Sequence, residues 1–236
     1  MSGRMRHQRA MDGTRRIFLG VTFVFVVFPL VWLALALVKT RAPSLDLPPS
    51  LIFAPTFDSY DEILRGGLLK SFGNSLTIAG TNVVLALVLG VPAAFALSRM
   101  RGRVQETLSF WVLSIRLAPF FAIILPLYVL FKGAGLLDTR FAVAAAQLTL
   151  TLPLAIWLLM TYFRTIPVDL DEAAMLVGAR SWQILWMVVL PISRPIIASV
   201  AIIVFMYSWN EFLLAYSLTS RNAQTVPVAV AGLAGT

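Results

Sequence analysis

Runs of about twenty consecutive apolar residues recur along this chain, and they leave few folds open. A run of that length, wound as a helix, crosses the roughly 30 Å hydrocarbon core of a bilayer. The first is "IFLGVTFVFVVFPLVWLALALV", Ile17 to Val38, which carries no charge. Comparable runs lie at about 75–97, 108–131, 141–163 and 196–218. None alternates apolar with polar residues, as the strands of a membrane β-barrel must. Hydrophobic residues make up 59% of the 236 positions and charged residues 13%, with a mean hydropathy of +0.85. A soluble domain carries about 25% charge. The expected class is all-α, a polytopic transmembrane helical bundle with five spans.

The remaining composition excludes several chemistries. The chain has no cysteine and one histidine, His7, in an Arg-rich stretch. Disulfides, thiol nucleophiles and Cys-ligated metals are ruled out, and no metal site is expected. A net charge of +8 would suggest nucleic acid in a soluble protein. In a membrane protein it reflects topology, because cytoplasmic loops accumulate Lys and Arg; no nucleic-acid partner is expected.

The basic residues also orient the chain. Eleven fall before the first span, at 98–106 and at 164–195; seven fall in the other connections, which include the long one after the first span. This bias predicts a cytoplasmic N-terminus. Residues 1–16 then form a basic cytoplasmic tail, 17–38 the first span and 39–70 an extracytoplasmic loop with a short surface helix near "FDSYDEILRG". The core occupies 71–236, with a cytoplasmic connecting segment at 167–195.

That segment, "IPVDLDEAAMLVGARSWQIL", reads as a helix. Asp169 suits the N-cap, and Glu172, three residues on, suits the return half of a capping box. Asp171 and Glu172 lie near the positive end of the helix dipole. Ala174 and Gly178, spaced i, i+4, share a face with almost no side chain, against which a partner backbone could come close. Pro191 and Pro195 mark the return to the membrane. The alternative is an amphipathic connector lying on the bilayer. Such a helix shows a basic face opposite a broad apolar one, whereas this segment opens acidic and small.

Glu172-Ala173-Ala174, three residues, Gly178, nine residues, Val188, one residue, then Leu190-Pro191 resembles the loop motif of binding-protein-dependent ABC importer permeases. Val188 stands where isoleucine is usual. "APTFDSYDEIL", "NSLTIAG", "PAAFALSRMRG", "LPLYVLFKGAGLLDT" and "WNEFLLAYSLT" are similar to the sugar-importer branch, in its maltose permease G-type subunit. The likeness covers nearly everything after residue 20. It implies the type I importer permease fold, of which this chain holds five spans and lacks the family's sixth. It also implies a bacterial inner-membrane protein that is not an enzyme and forms half of a pathway for a sugar, oligosaccharide or polyol. The implied partners are a pair of ATPase subunits, a second, homologous permease and an extracytoplasmic solute-binding protein, within the lipid bilayer. Asp169, Glu172, Ala173, Ala174, Gly178, Leu190 and Pro191 would couple to the ATPase. The chain has no G-x-x-x-x-G-K-[ST] phosphate loop, so ATP, the only cofactor implied, would be bound by the partner subunits.

Polar residues inside spans are costly and mark interior faces or aqueous paths. Arg116 stands in the third span near Pro119 and Pro126, and Asn210 and Glu211 in the fifth. Arg116, Pro119, Asn210 and Glu211 are the candidates for the translocation pathway. Arg116 could instead snorkel to the cytoplasmic interface. Arg116 and Glu211, the opposite charges within predicted spans, are expected to face the bundle interior and to pair there, directly or through water. Trp111, Trp157 and Trp209 read as packing or interface residues rather than sugar platforms. Two other classes stay open on the residues alone: an intramembrane enzyme using Glu211 and Arg116, and a passive channel.

Overall fold

The computed structural model describes residues 2–37, 56 and 67–234. Most of the predicted extracytoplasmic loop at 39–70, including "FDSYDEILRG", lies outside the described residues. The chain divides into two compact units, 1–67 and 68–236. In the first, α1 (Ser2–Leu37) is one helix with Pro29 inside it. The basic residues expected in a separate tail belong to this same helix. Its stretch Arg15–Trp32 is long and apolar enough to cross a membrane. Ile17, Phe18 and Phe25 stand exposed along it, as lipid-facing side chains do.

The second unit is built from α2 (Leu68–Arg99), α3 (Arg103–Ser114), a 3-10 turn (Ile115–Leu117), α4 (Phe120–Gly133) and α5 (Arg140–Phe163). There follow α6 (Asp169–Leu176), α7 (Ser181–Ile184), a π-helical turn (Leu185–Val189), α8 (Leu190–Ile192), α9 (Arg194–Asn210), α10 (Leu213–Leu218) and α11 (Val226–Ala234).

α2 and α5 form the central pair. Ala79, Ala86 and Ala94 of the one and Ala142, Ala146 and Ala155 of the other are fully buried. A Cβ placed on Gly90 would lie 3.5 Å from that of Ala155. In lipid, where apolar burial gives helices no reason to associate, such small residues let backbones approach and gain dispersion contact. α9 packs across both, with Val200 and Val204 fully buried.

Among the described residues three helices are long and apolar enough to span a membrane, or up to five spans if each bent pair counts as one. Two of the predicted spans are interrupted. The predicted third span, 108–131, is bent by 87° between Leu117 and Phe120. Pro119 has no N–H to continue the ladder and disfavours helical backbone in the residue before it, and Ala118 is accordingly extended. The predicted fifth span, 196–218, is also interrupted: α9 ends at Asn210, Glu211 is extended, and α10 starts at Leu213. A further bend of 82° separates Ser181–Ile192 from α9. It lies at Ser193, where the connecting segment turns back toward the membrane.

At the end of α5 away from that segment, the Asp138 carboxylate fastens two loops together. It accepts from the backbone N–H groups of Ser220, Arg221, Asn222 and Ala223 at 3.0–3.2 Å and from the side chains of Ser220 and Asn222. Asp138 holds a left-handed backbone, φ 57°, a conformation that Asp tolerates better than most residues. Burial pushes its carboxyl up, but the four backbone donors outweigh this and hold it well below the usual carboxylate range.

Candidate functional site

The predicted connecting helix at 167–195 is two pieces rather than one. α6 covers Asp169–Leu176, and the chain then turns before α7. Asp169 is not the N-cap. Val168 occupies that position and no side chain caps the turn. Pro167 explains the shift. Its fixed φ suits the start of a helix, and its carbonyl already accepts from Leu170 at 3.3 Å while that of Val168 accepts from Asp171 and Glu172. Asp169 therefore falls inside the first turn, and the expected capping box with Glu172 does not form.

Gly178 is corrected in the same way. It does not share a helix face with Ala174, because the helix ends two residues before it. Ala179 N–H donates to the Ala174 carbonyl at 3.0 Å and Gly178 N–H to that of Met175 at 2.9 Å. These are the paired bonds of a Schellman cap, whose first residue beyond the helix is left-handed. Gly178 has φ +88°, which a side chain would strain. The glycine stops α6 and turns the chain.

What α6 presents follows from that stop. Glu172 and Ala173 are exposed and Ala174 is partly buried against the core. Leu176 and Val177 are 89% and 86% exposed, two apolar side chains at the end of α6. Asp171 is buried, and Arg99 binds it through two hydrogen bonds. Further on, Leu190 is partly buried against the same core and Pro191 is exposed. Pro191 cannot donate to the carbonyl four residues back. The turn just before it is widened to π geometry, with Leu190 N–H reaching the Leu185 carbonyl.

The second cluster surrounds a cavity of about 630 Å³. Arg116, Asn210 and Glu211 all line it; Ala118 and Phe120, on either side of Pro119, do as well. Arg116 and Glu211 do not form a direct ion pair. Among the described residues Arg116 makes no ion pair, and its guanidinium lies 5.5 Å from the centre of the Tyr207 ring. Glu211 is engaged elsewhere. Its two oxygens accept from Leu214 N–H at 2.7 Å and Ala215 N–H at 3.1 Å, the free donors of α10's first turn. The helix break thus explains the missing ion pair: the carboxylate caps the segment beyond it. Asn210 turns its amide back to the Met206 carbonyl at 2.8 Å.

A buried polar chain backs this wall. Gln147 Nε2 reaches Glu211 at 3.4 Å and the Ser208 carbonyl at 3.3 Å, while the Ser208 hydroxyl donates to the Gln147 side-chain oxygen. The Thr151 hydroxyl donates to Asn82 Oδ1 at 2.6 Å, with the Gln147 carbonyl 3.1 Å away as its alternative acceptor, and Asn82 donates to the Ala144 carbonyl at 3.0 Å. Asn82, Gln147, Thr151 and Ser208 belong to no motif and are not among the expected pathway residues. Gln147 and Thr151 stand i, i+4 in an apolar run, and polar side chains there are themselves a signal of an interior face. Trp209 packs edge-on to Phe72 and stacks on Phe205, as a packing residue should. Among the described residues no group of His, Cys, Asp and Glu could hold a metal.

Comparison with known proteins bears on the family and the fold. Residues 86–234 match the family model for the inner membrane component of binding-protein-dependent transport systems. The trehalose transport system permease protein of Mycobacterium tuberculosis is 36% identical over 215 residues, 89% of this chain and 77% of that protein. The trehalose/maltose transport system permease protein of Thermococcus litoralis is 30% identical over 212 residues, 88% and 76% of the two. A crystal structure of a bacterial ABC transporter involved in import of the acidic polysaccharide alginate superposes with a TM-score of 0.76 at 24% identity, over 96% of this chain and 80% of that one. The fold is that of an ABC importer permease, and the intramembrane enzyme and the passive channel find no support. This chain belongs to the inner membrane components of binding-protein-dependent transport systems, as a multi-pass permease subunit of an ABC importer.

Proposed function

We propose that this permease carries a sugar, oligosaccharide or polyol and is driven by a separate pair of ATPase subunits docking on α6. The observation that carries the reading is the tip of α6. The Glu172-Ala173-Ala174 motif is folded as a short helix outside the span bundle, with Glu172 exposed and Leu176 and Val177 bare beside it. Apolar side chains rimmed by polar ones mark a protein interface. Asp169 and Glu172 supply charge on this knob, Ala173 leaves room for a partner, and Gly178 fixes its length. Leu190 and Pro191 carry the return to α9.

The cavity between Arg116, Tyr207 and Glu211 is this subunit's share of the pathway. Its wall combines aromatic faces (Phe120, Tyr207 and Phe212) with a few fixed polar groups, the mixture that sugar-sized ligands require. Pro119 and Asn210 shape its rim. The trehalose and trehalose/maltose names of the relatives support the solute class. A second, homologous permease would form the other wall, an extracytoplasmic binding protein would deliver the solute, and the N-terminus would lie in the cytoplasm.

Purification of the tagged chain from its native membrane tests this. An ATPase, a second permease and hydrolysis stimulated by a solute-loaded binding protein are expected. Purification as a single subunit with solute flux independent of ATP would overturn the reading.

A further inference from the structure

The guanidinium of Arg99 joins three elements at one point. Arg99 is the last residue of α2. Its Nε donates to Asp171 Oδ2 at 2.6 Å and its Nη2 to Asp171 Oδ1 at 3.2 Å. Its Nη1 donates to the carbonyls of Phe163, which ends α5, at 2.9 Å and of Ile166, in the turn before α6, at 3.3 Å. The side chains are 16% and 5% exposed. The first turn of α6 therefore directs adjacent acids oppositely: Asp171 inward onto Arg99 and Glu172 outward.

We propose that Arg99 is a positioning residue for energy coupling, pinning α6 to the end of α2 so that a displacement of α6 moves α2 directly. This rests on the reading of α6 as the ATPase-docking helix. Without the pin, α6 would act on the bundle through residues 164–168 to α5 and through α7 to α9. α2 would then follow only by sliding contact with α5 and α9. The planar fork of Arg matches a carboxylate in two places and fixes orientation as well as distance. Pulling the two charges apart in a nearly buried site leaves each without compensation. Rigid transmission is therefore favoured over local stretching. Lys, a point charge without the fork, would hold α6 near α2 but let it rotate.

The test uses the whole importer in proteoliposomes, with its ATPases, second permease and binding protein. Arg99→Met combined with Asp171→Leu removes both charges together and leaves no unpaired charge, a replacement that buried pairs often tolerate. The expected result is retention of the ATPase subunits with solute carried per ATP reduced at least about fivefold, the low end of typical coupling effects. Arg99→Lys should fall between this variant and the parent. If the apolar pair fails to insert, the reversed pair, Arg99→Asp with Asp171→Arg, gives the reading, with coupling well above that of Arg99→Asp alone. Unchanged solute per ATP in the apolar pair, or in Arg99→Lys together with no recovery in the reversed pair, would overturn the pin. Crosslinking from Ala173→Cys to the ATPase separates the two ideas. No crosslink in the otherwise unaltered complex removes the docking reading itself, whereas a crosslink with unchanged coupling removes only the role of Arg99.

Discussion

The Thr151 hydroxyl donates to the side-chain oxygen of Asn82 at 2.6 Å, 69 positions away in the chain, and ties α5 to α2 inside the apolar bundle. Both residues are buried. The tie continues through Gln147 to Ser208 and Glu211, so the wall of the cavity is anchored to the central helix pair. Thr151→Val leaves the Asn82 oxygen without its donor, while Asn82→Leu leaves the Thr151 hydroxyl its second acceptor, the Gln147 carbonyl. Asn82→Leu also removes the bond to the Ala144 carbonyl, so both single variants should be destabilising. The coupling energy in a double-mutant cycle should be about 0.6–1.7 kcal/mol, the range for hydrogen bonds between membrane helices. Unfolding of the purified protein in detergent, for both single variants and the double, measures it. Strict additivity would remove the bond as a stabilising contact.

Gly178 should be sensitive to backbone conformation rather than to bulk. A Cβ there meets nothing within 4 Å, but φ is +88°. The left-handed region costs an ordinary L-residue roughly 1–2 kcal/mol. Asn tolerates it better than Ala, and β-branched residues worst. Stimulated ATP hydrolysis by the assembled importer should rank Gly, then Asn, then Ala, then Val. A ranking by side-chain size, with Asn below Ala, would instead favour close approach of a partner backbone at this position.

The contrast at Gly178 shows how far the residues could be read directly. The apolar runs and the Glu-Ala-Ala to Leu-Pro spacing are local, and the spans and the place of α6 follow from them. Gly178 depends on where a helix stops, and a stop two residues earlier converts a shared face into a cap. The break at Glu211 was hidden because "WNEFLL" contains neither glycine nor proline. It exists because the Glu211 carboxylate supplies an acceptor for α10's first turn. Arg99 with Asp171, and Gln147 with Ser208, are pairs distant in the chain, and no periodicity brings them together. Their polarity within or beside apolar runs was visible, but not their partners.

The Asp138 latch sets a pH dependence with a definite sign. Its carboxyl is held below the usual range in the folded protein, against about 3.9 when unfolded. A depressed folded value means stability that is present above the unfolded value and lost as pH falls through the folded one. The latch should be intact at neutral pH and down to about pH 4, then weaken as the medium becomes more acidic. Asp138→Asn should lower the thermal midpoint near neutrality and flatten the decline below about pH 4. Melting curves of the two proteins between about pH 2.5 and 7 decide it. Parallel curves throughout would mean that the carboxylate contributes nothing through its ionised form.

Orientation can be settled by labelling at the two ends of α5. The excess of Arg before the first span, at 98–106 and at 164–195, predicts that those segments lie in the cytoplasm, on the side where Lys and Arg accumulate. α5 runs from Arg140 to Phe163, about 36 Å at 1.5 Å per residue, enough to place its two ends on opposite sides of a bilayer. The chain has no cysteine, so a single introduced one reports without background. Ser181 and Ala134 are both exposed in the subunit and lie beyond opposite ends of α5. In intact cells Ala134→Cys should react with an impermeant maleimide, and Ser181→Cys should react only after the membrane is opened. The reverse pattern would place Glu172 outside the cell, where no ATPase could reach it. It would thereby remove the docking role of α6 and the pin at Arg99 with it. Reaction of both in intact cells would mean that α5 does not cross.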